Sequence, residues 1–292
     1  MTRTGRKGVA CLLLAIVPAA LATVQPLRSG EAQTRATINA INQGIYDPFK
    51  VRGLSAFSTE QKNLIRQWIT HAVNATRETV GVYPRTLEFF VYSKKANQPV
   101  PWAHTRRGPT ESIHLYIDQR FPLEKFINDW TLYHEISHLA LPFLGEQYAW
   151  LSEGFASFMQ YQIMANADIL PNTLRQSYQK KLTPHLKWFA SDLPPADIAR
   201  RLMNQNNYPG AYWGGAWFFV LADQQLTTRY HISLASLIAQ YQLCCRQRDT
   251  SAAQLMASLD SLIDEPLFSQ LLYNYEHQAA REIYPQEFTD TK

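Results

Sequence analysis

From Ser58 onward, apolar residues recur at helical spacing. Leu64, Ile65, Trp68, Ile69, Ala72 and Val73 share one face, and polar residues fill the other. Ser58-Thr59-Glu60-Gln61 has the form of a capping box for that helix, and Gly81 to Pro84 turns the chain after it. The period then shortens. Thr86 to Tyr92 alternates weakly. Glu111 to Asp118 alternates clearly, with Ile113, Leu115 and Ile117 on one face and Ser112, His114 and Tyr116 on the other. Both stretches predict strands, because successive strand side chains point to opposite faces. Helical spacing returns at Phe126, Ile127, Trp130, Tyr133 and Leu139, between Pro122 at its start and Pro142 at its end. A second helix is predicted from near Ala149 through Phe158, Tyr161 and Met164. Tyr212 to Leu226 is too apolar for an exposed helix and belongs inside, while Ser251 to Ile263 turns Ala252, Leu255, Met256, Leu259 and Leu262 to one face. The pattern predicts an α+β fold, predominantly helical, with a small sheet ahead of the helix that ends before Pro142. Residues 23–57 are mixed in character and are expected to wrap the surface. Tyr284 to Lys292 reads as a loose tail.

The helix before Pro142 carries His134-Glu135-Ile136-Ser137-His138, an H-E-x-x-H pattern. Residues four apart lie on one helical face, so His134 and His138 can aim two imidazole nitrogens at one point. Glu135 sits beside them, where a carboxylate can take a proton from an attacking water. Two solvated histidines on a helix would give the same five residues, and a third ligand decides between the readings. Zinc sites of the catalytic kind use three protein ligands and keep one position open. Fourteen residues separate His138 from Glu153, which stands in Trp150-Leu151-Ser152-Glu153-Gly154-Phe155-Ala156. The intervening Pro142 to Tyr148 holds Pro and Gly and can reverse the chain, bringing the first turn of the next helix back toward the histidine pair. Alone, Glu153 would read as a solvated carboxylate at a helix start. Beside the pair it completes a ligand set for one zinc ion per chain.

His-Glu-Ile-Ser-His and Trp-Leu-Ser-Glu-Gly-Phe-Ala resemble the two signature segments of the gluzincin metallopeptidases, and most of all the catalytic domains of aminopeptidase N-like and glycyl aminopeptidase-like enzymes. A third segment, Ala211-Tyr212-Trp213-Gly214-Gly215-Ala216, is similar to the helix start that carries a transition-state tyrosine in those enzymes. The resemblance covers about residues 110–225. It implies a thermolysin-like zinc-peptidase catalytic domain in which His134, His138 and Glu153 bind zinc and Glu135 is general base, then proton donor. Tyr212 would donate a hydrogen bond to the developing oxyanion; a neutral phenol is a donor at pH 7. Tyr208 is the neighbouring alternative for that role. The resemblance also implies that the strand before the zinc helix borders the cleft, where an extended peptide can pair with its edge; His114 could face that cleft, and a packing or surface histidine is the plainer reading of it. The chain departs from the family in two respects. Its His138-to-Glu153 spacing is shorter, and it lacks an upstream Gly-x-Met-Glu-Asn segment, whose Glu holds the substrate's free amine in that family. Here the corresponding stretch reads Arg107-Gly108-Pro109-Thr110-Glu111-Ser112, with Glu111 as its acid. Aminopeptidase action is therefore not implied, and endopeptidase action stays open.

Arg3, Arg6 and Lys7 precede an apolar run from Val9 to Ala20, and Ala20-Leu21-Ala22 offers an A-x-A cleavage site. Residues 1–22 are expected to be a secretory signal cleaved after Ala22, with an uncleaved anchor as the alternative. No stable membrane span is expected after processing, and export to a bacterial periplasm follows. The formal charge of +4 comes from 28 Lys and Arg against 24 Asp and Glu. Without the signal the balance is 25 against 24, so nothing points to nucleic acid or an anionic membrane as a partner. Cys11 would leave with the signal, and the remaining cysteines, Cys244 and Cys245, are adjacent and too few for a disulfide framework. They are expected to be two partly buried thiols in an apolar helix with Leu234, Leu237, Ile238 and Tyr241, with a disulfide between them as the alternative in an oxidising compartment. Residues 58–292 are thus expected to form the catalytic domain, acting on a peptide or protein substrate. Its rivals are an inactive peptide-binding protein of the same fold and a zinc amidase acting on cell-wall peptides.

Overall fold

The computed structural model describes residues 49–285, apart from 84 and 109. The predicted signal segment, residues 23–48 and the tail beyond 285 lie outside the described residues. A four-stranded sheet comprises β1 (Phe49–Arg52), β2 (Leu87–Ser93), β3 (Trp102–Arg106) and β4 (Ser112–Ile117), in the order β1-β2-β4-β3. β1 and β4 run parallel to β2, and β3 is an antiparallel edge strand on β4. The long helix α1 (Thr59–Val80) makes the crossover from β1 to β2, as parallel neighbours require. Its capping box is present as predicted, with Ser58 and Gln61 bonded reciprocally.

The two strands read from alternation are there, with Ile113, Leu115 and Ile117 buried on the helical side. β1 and β3 were not foreseen. β1 is four residues long, and β3 (Trp-Ala-His-Thr-Arg) has no apolar alternation; pairing with β4 makes it a strand. Residues 49–57 are consequently no surface wrap: β1 extends the sheet, and Leu54 and Phe57 enter the core.

The helix predicted around Pro122 to Leu139 is two helices, α2 (Leu123–Ile127) and α3 (Thr131–His138). Asp129 breaks them by accepting a hydrogen bond from the Thr131 amide at 2.9 Å. A short 3₁₀ turn, Glu146–Tyr148, then leads into α4 (Ala149–Asn166). Next come α5 (Leu174–Leu182), α6 (Leu186–Phe189), α7 (Pro195–Asn204) and the central α8 (Tyr208–Tyr230). The chain continues through α9 (Leu234–Cys244), α10 (Ala252–Ile263), α11 (Leu267–His277) and α12 (Ala280–Ile283). The architecture is helix-rich α+β with a small sheet. Among the described residues no helix is long and apolar enough to cross a membrane.

α4 and α8 meet backbone to backbone. A Cβ added to Gly154 would stand 2.3 Å from the Gly215 carbonyl carbon, so both positions need glycine for this approach. The contact fixes α8 beside the first turns of α4. Two expectations are overturned nearby. Tyr284 is no part of a loose tail: it is buried, stacks on Phe189 and donates its hydroxyl to the Gly214 carbonyl at 2.6 Å. Cys244 and Cys245 are joined in a disulfide rather than lying as free thiols in a helix. α9 ends at Cys244 and Cys245 has left helical geometry, which frees the pair from the divergent directions that consecutive helical side chains take.

Candidate metal centre

α3 and α4 bring the three predicted ligands together. The Nε2 atoms of His134 and His138 lie 3.1 and 3.6 Å from the same Glu153 oxygen, Oε2. One ligand atom from each residue falls within 4.8 Å of the other two. His134 is buried, and its Nδ1 lies 2.9 Å from Oε1 of Gln160. An amide oxygen only accepts, so Nδ1 donates and the Nε2 lone pair is left toward Glu153. Gln160 went unnoticed in the sequence, although a signal was present: it follows Glu153 by seven residues, two helical turns along the same face.

The charges around the pair explain its protonation. Burial opposes the negative charge on Glu153, but the charges and hydrogen bonds of His138 and His134 outweigh it and hold the carboxyl well below its usual range. Burial likewise opposes a proton on His134, yet Glu153, Glu135 and Gln160 together raise its affinity for one. The metal-free group thus favours a proton where a cation would sit. Two imidazole nitrogens and a carboxylate converging in this way form a donor set that suits zinc.

Glu135 faces the same cleft. Thr105 on β3 sets it: the threonine hydroxyl lies 2.9 Å from both the Glu135 carbonyl oxygen and its carboxylate Oε2. Tyr212, in the second turn of α8, lines the cleft opposite, with its ring 6.3 Å from that of His134. Burial, then the charges of Glu153 and Glu135, push its hydroxyl up, so it stays protonated and able to donate. Tyr208 does not line the cleft; it is exposed and its hydroxyl is bonded to Asn206.

Two other residues weighed for the cleft do not line it. Glu111 is buried behind the end of α3, where it accepts from Tyr83, from Arg107 at 2.6 Å and from Arg246 at 3.1 Å. The two guanidinium groups in turn donate to the His138 and Leu139 carbonyls, so the cluster caps the metal helix and takes Glu111 out of reach of a substrate amine. His114 is stacked between Phe90 and His104 on the outer face of the sheet, with its nitrogens beside Tyr92 and Ser112. It packs rather than faces the cleft. His104, one strand over, does line it.

The cleft encloses about 490 Å³ and runs between the β3 edge, α3 and the start of α4. No family model and no curated protein matches the sequence. Among solved structures, the chain is similar to a mutant M1 zinc metallopeptidase from Deinococcus radiodurans bound to a Tyr-Ser-Ala substrate. Identity is 13%, the TM-score is 0.45, and the match covers 79% of this chain and 47% of that one. The chain thus spans about half the length of that protein.

Proposed function

We propose that this chain is an exported zinc peptidase of the gluzincin type. One observation carries the reading: the histidine pair, Glu153, Glu135 and Tyr212 converge on a single cleft from three helices. His134, His138 and Glu153 would hold the ion, and Gln160 keeps His134 in the tautomer that ligation needs. Zinc held there supplies Lewis acidity toward the scissile carbonyl and lowers the pKa of water to about 7.

The chain's own groups then divide the work. Glu135 takes the proton from the attacking water, and Thr105 steadies the carboxylate while it does so. Tyr212 donates a hydrogen bond to the carbonyl oxygen as negative charge gathers on it. Glu135 returns the proton to the leaving amine, so its charge is restored at the end of the cycle. The free edge of β3 offers backbone groups to an extended peptide. The catalytic unit is proposed to follow a signal cleaved after Ala22.

The test is zinc content of the purified chain and of Glu153→Ala, with digestion of a mixed peptide pool. About one zinc per chain, greatly weakened in the variant, together with peptide cleavage that Glu135→Gln abolishes, is the expected result. A chain that takes up no zinc, or a Glu135→Gln protein that cleaves as fast as the parent, refutes it.

A further inference from the structure

Cys244 and Cys245 form the one disulfide among the described residues, and both are half-buried, within reach of a small reductant. The bridge stands at a junction. Cys245 is held outside helical geometry at the end of α9, and the amides of Cys245 and Arg246 both donate to the Tyr241 carbonyl, at 2.9 and 3.0 Å. Arg246 follows at once. It caps α3 through the Leu139 carbonyl, pairs with Glu111 and lies over the Tyr83 ring at 5.0 Å. Further on, the Arg248 carbonyl accepts from the Phe143 amide at 3.0 Å, and the Thr250 amide donates to the Phe143 carbonyl at 3.2 Å. Phe143 lies on the link between His138 and Glu153. Residues 246–250 thus grip both the end of the helix that carries the histidines and the link to the helix that carries Glu153. The disulfide sets the direction in which they leave α9.

A bridge between neighbours excludes helix there, because consecutive helical side chains diverge by about 100°. Opened, it leaves Cys245 free to continue α9, and residues 245–249 contain no Gly or Pro to stop it. Each residue that joins the helix swings the next side chain round the axis, which takes Arg246 off Leu139 and the 248–250 backbone off Phe143. The buried bonds of Arg246 oppose that change. The held arrangement therefore keeps the larger population in the dithiol form, and the released one, which the disulfide forbids, gains a share.

We infer that Cys244–Cys245 is a redox-modification site, and that its state sets how firmly residues 246–250 hold α3 and the α3–α4 link. A dithiol is its reductant. One thiolate attacks a bridge sulfur, and the second thiol then displaces the chain from the mixed disulfide. The chain ends with two thiols and the reductant with a disulfide, two electrons and two protons having passed between them. The zinc readout of this inference rests on the peptidase reading; the first readout needs no metal. Protein purified without reductant is compared before and after dithiothreitol, which is then removed by gel filtration under argon. Alkylation mapped by mass spectrometry should leave Cys244 and Cys245 unmodified before reduction and modify both after it. Amide hydrogen exchange at Phe143 and Thr250 should speed about tenfold in the dithiol form. Zinc affinity, read by chelator competition, should fall roughly fivefold, and reoxidation should restore both. The double variant Cys244→Ser, Cys245→Ser should match the dithiol form with or without reductant. Free thiols in the untreated protein, a bridge that dithiothreitol never opens in the folded chain, or a double variant that behaves as the oxidised chain overturns the inference. So does exchange or zinc affinity that is the same in both forms. No zinc uptake in either form refutes the peptidase reading instead, and exchange still decides the coupling. Equal exchange and affinity in a chain that takes up zinc and cleaves peptide removes the redox role and leaves the peptidase standing.

Discussion

Arg246 and Glu111, 135 residues apart, form an ion pair at 3.1 Å with both side chains 2% exposed, directly behind the last turn of the metal helix α3. Arg246 also donates from Nε to the Leu139 carbonyl at 2.9 Å, and Arg107 supplies the matching bond to His138. Burial pushes the Glu111 carboxyl up and Arg246 opposes that push, so the pair is held together by its partners rather than by cheap electrostatics. Arg246→Ala leaves Glu111 buried and α3 without half of its C-terminal cap. Arg107 still holds Glu111 at 2.6 Å, so the loss of unfolding free energy in urea titrations should be about 1–3 kcal/mol, and Arg246→Lys should recover only part. A loss below about 0.5 kcal/mol, the scale of an inert surface change, would mean the cluster carries nothing.

Gln160 acts on the centre through His134. Gln160→Leu keeps the volume and removes the acceptor, so Nδ1 of a buried imidazole loses its partner. Zinc affinity, read by competition with a chromophoric chelator, is expected to fall roughly 10- to 100-fold. Unchanged affinity would show that the tautomer is set by some other contact.

Tyr212→Phe removes one donor and little volume. Its expected signature is a drop in kcat of about 10²–10³ with KM nearly constant, as for a bond made chiefly in the transition state. A change confined to KM would assign Tyr212 to ground-state binding. Tyr208→Phe, whose hydroxyl serves Asn206, should leave kcat alone.

Gly154→Ala tests the α4–α8 contact without touching a polar group. The new methyl would meet Gly215 backbone at 2.3 Å, which neither helix can yield locally. Destabilisation of about 1–3 kcal/mol is expected, with weakened zinc binding, because Glu153 is the preceding residue. A variant as stable as its parent would show that the helices can part there.

The metal-free chain should have its own pH signature. Glu153 is depressed from its ordinary 4.5, so it stabilises above that pH and loses its contribution as acid protonates it. His134 is raised above its ordinary 6.5, so its contribution is complete below 6.5 and fades as pH climbs through the raised value. The pair therefore stabilises the metal-free protein most between 4.5 and 6.5, and zinc, which competes with the proton, gains above that window. Melting temperatures of metal-free parent and Glu153→Gln should differ most in weak acid and converge toward high pH. A difference that is flat from pH 5 to 9 contradicts the assignment.

The amino-acid sequence by itself determined what neighbours within a few residues decide. Helical spacing and the Ser58 and Ser251 caps set the local structure of α1 and α10, and alternation set β2 and β4. One helical turn put His134 and His138 on a common face, and the Pro- and Gly-containing break before Ala149 allowed Glu153 to return to them. Tertiary structure decided the rest, because the partners are distant in the chain and carry no local period. β3 is a strand because β4 pairs with it. Glu111 faces two arginines because α3 needs its carbonyls capped. Thr105 reaches Glu135 and Tyr212 stands beside His134 only because β3, α3 and α8 close around one cleft, a proximity no spacing along the chain encodes.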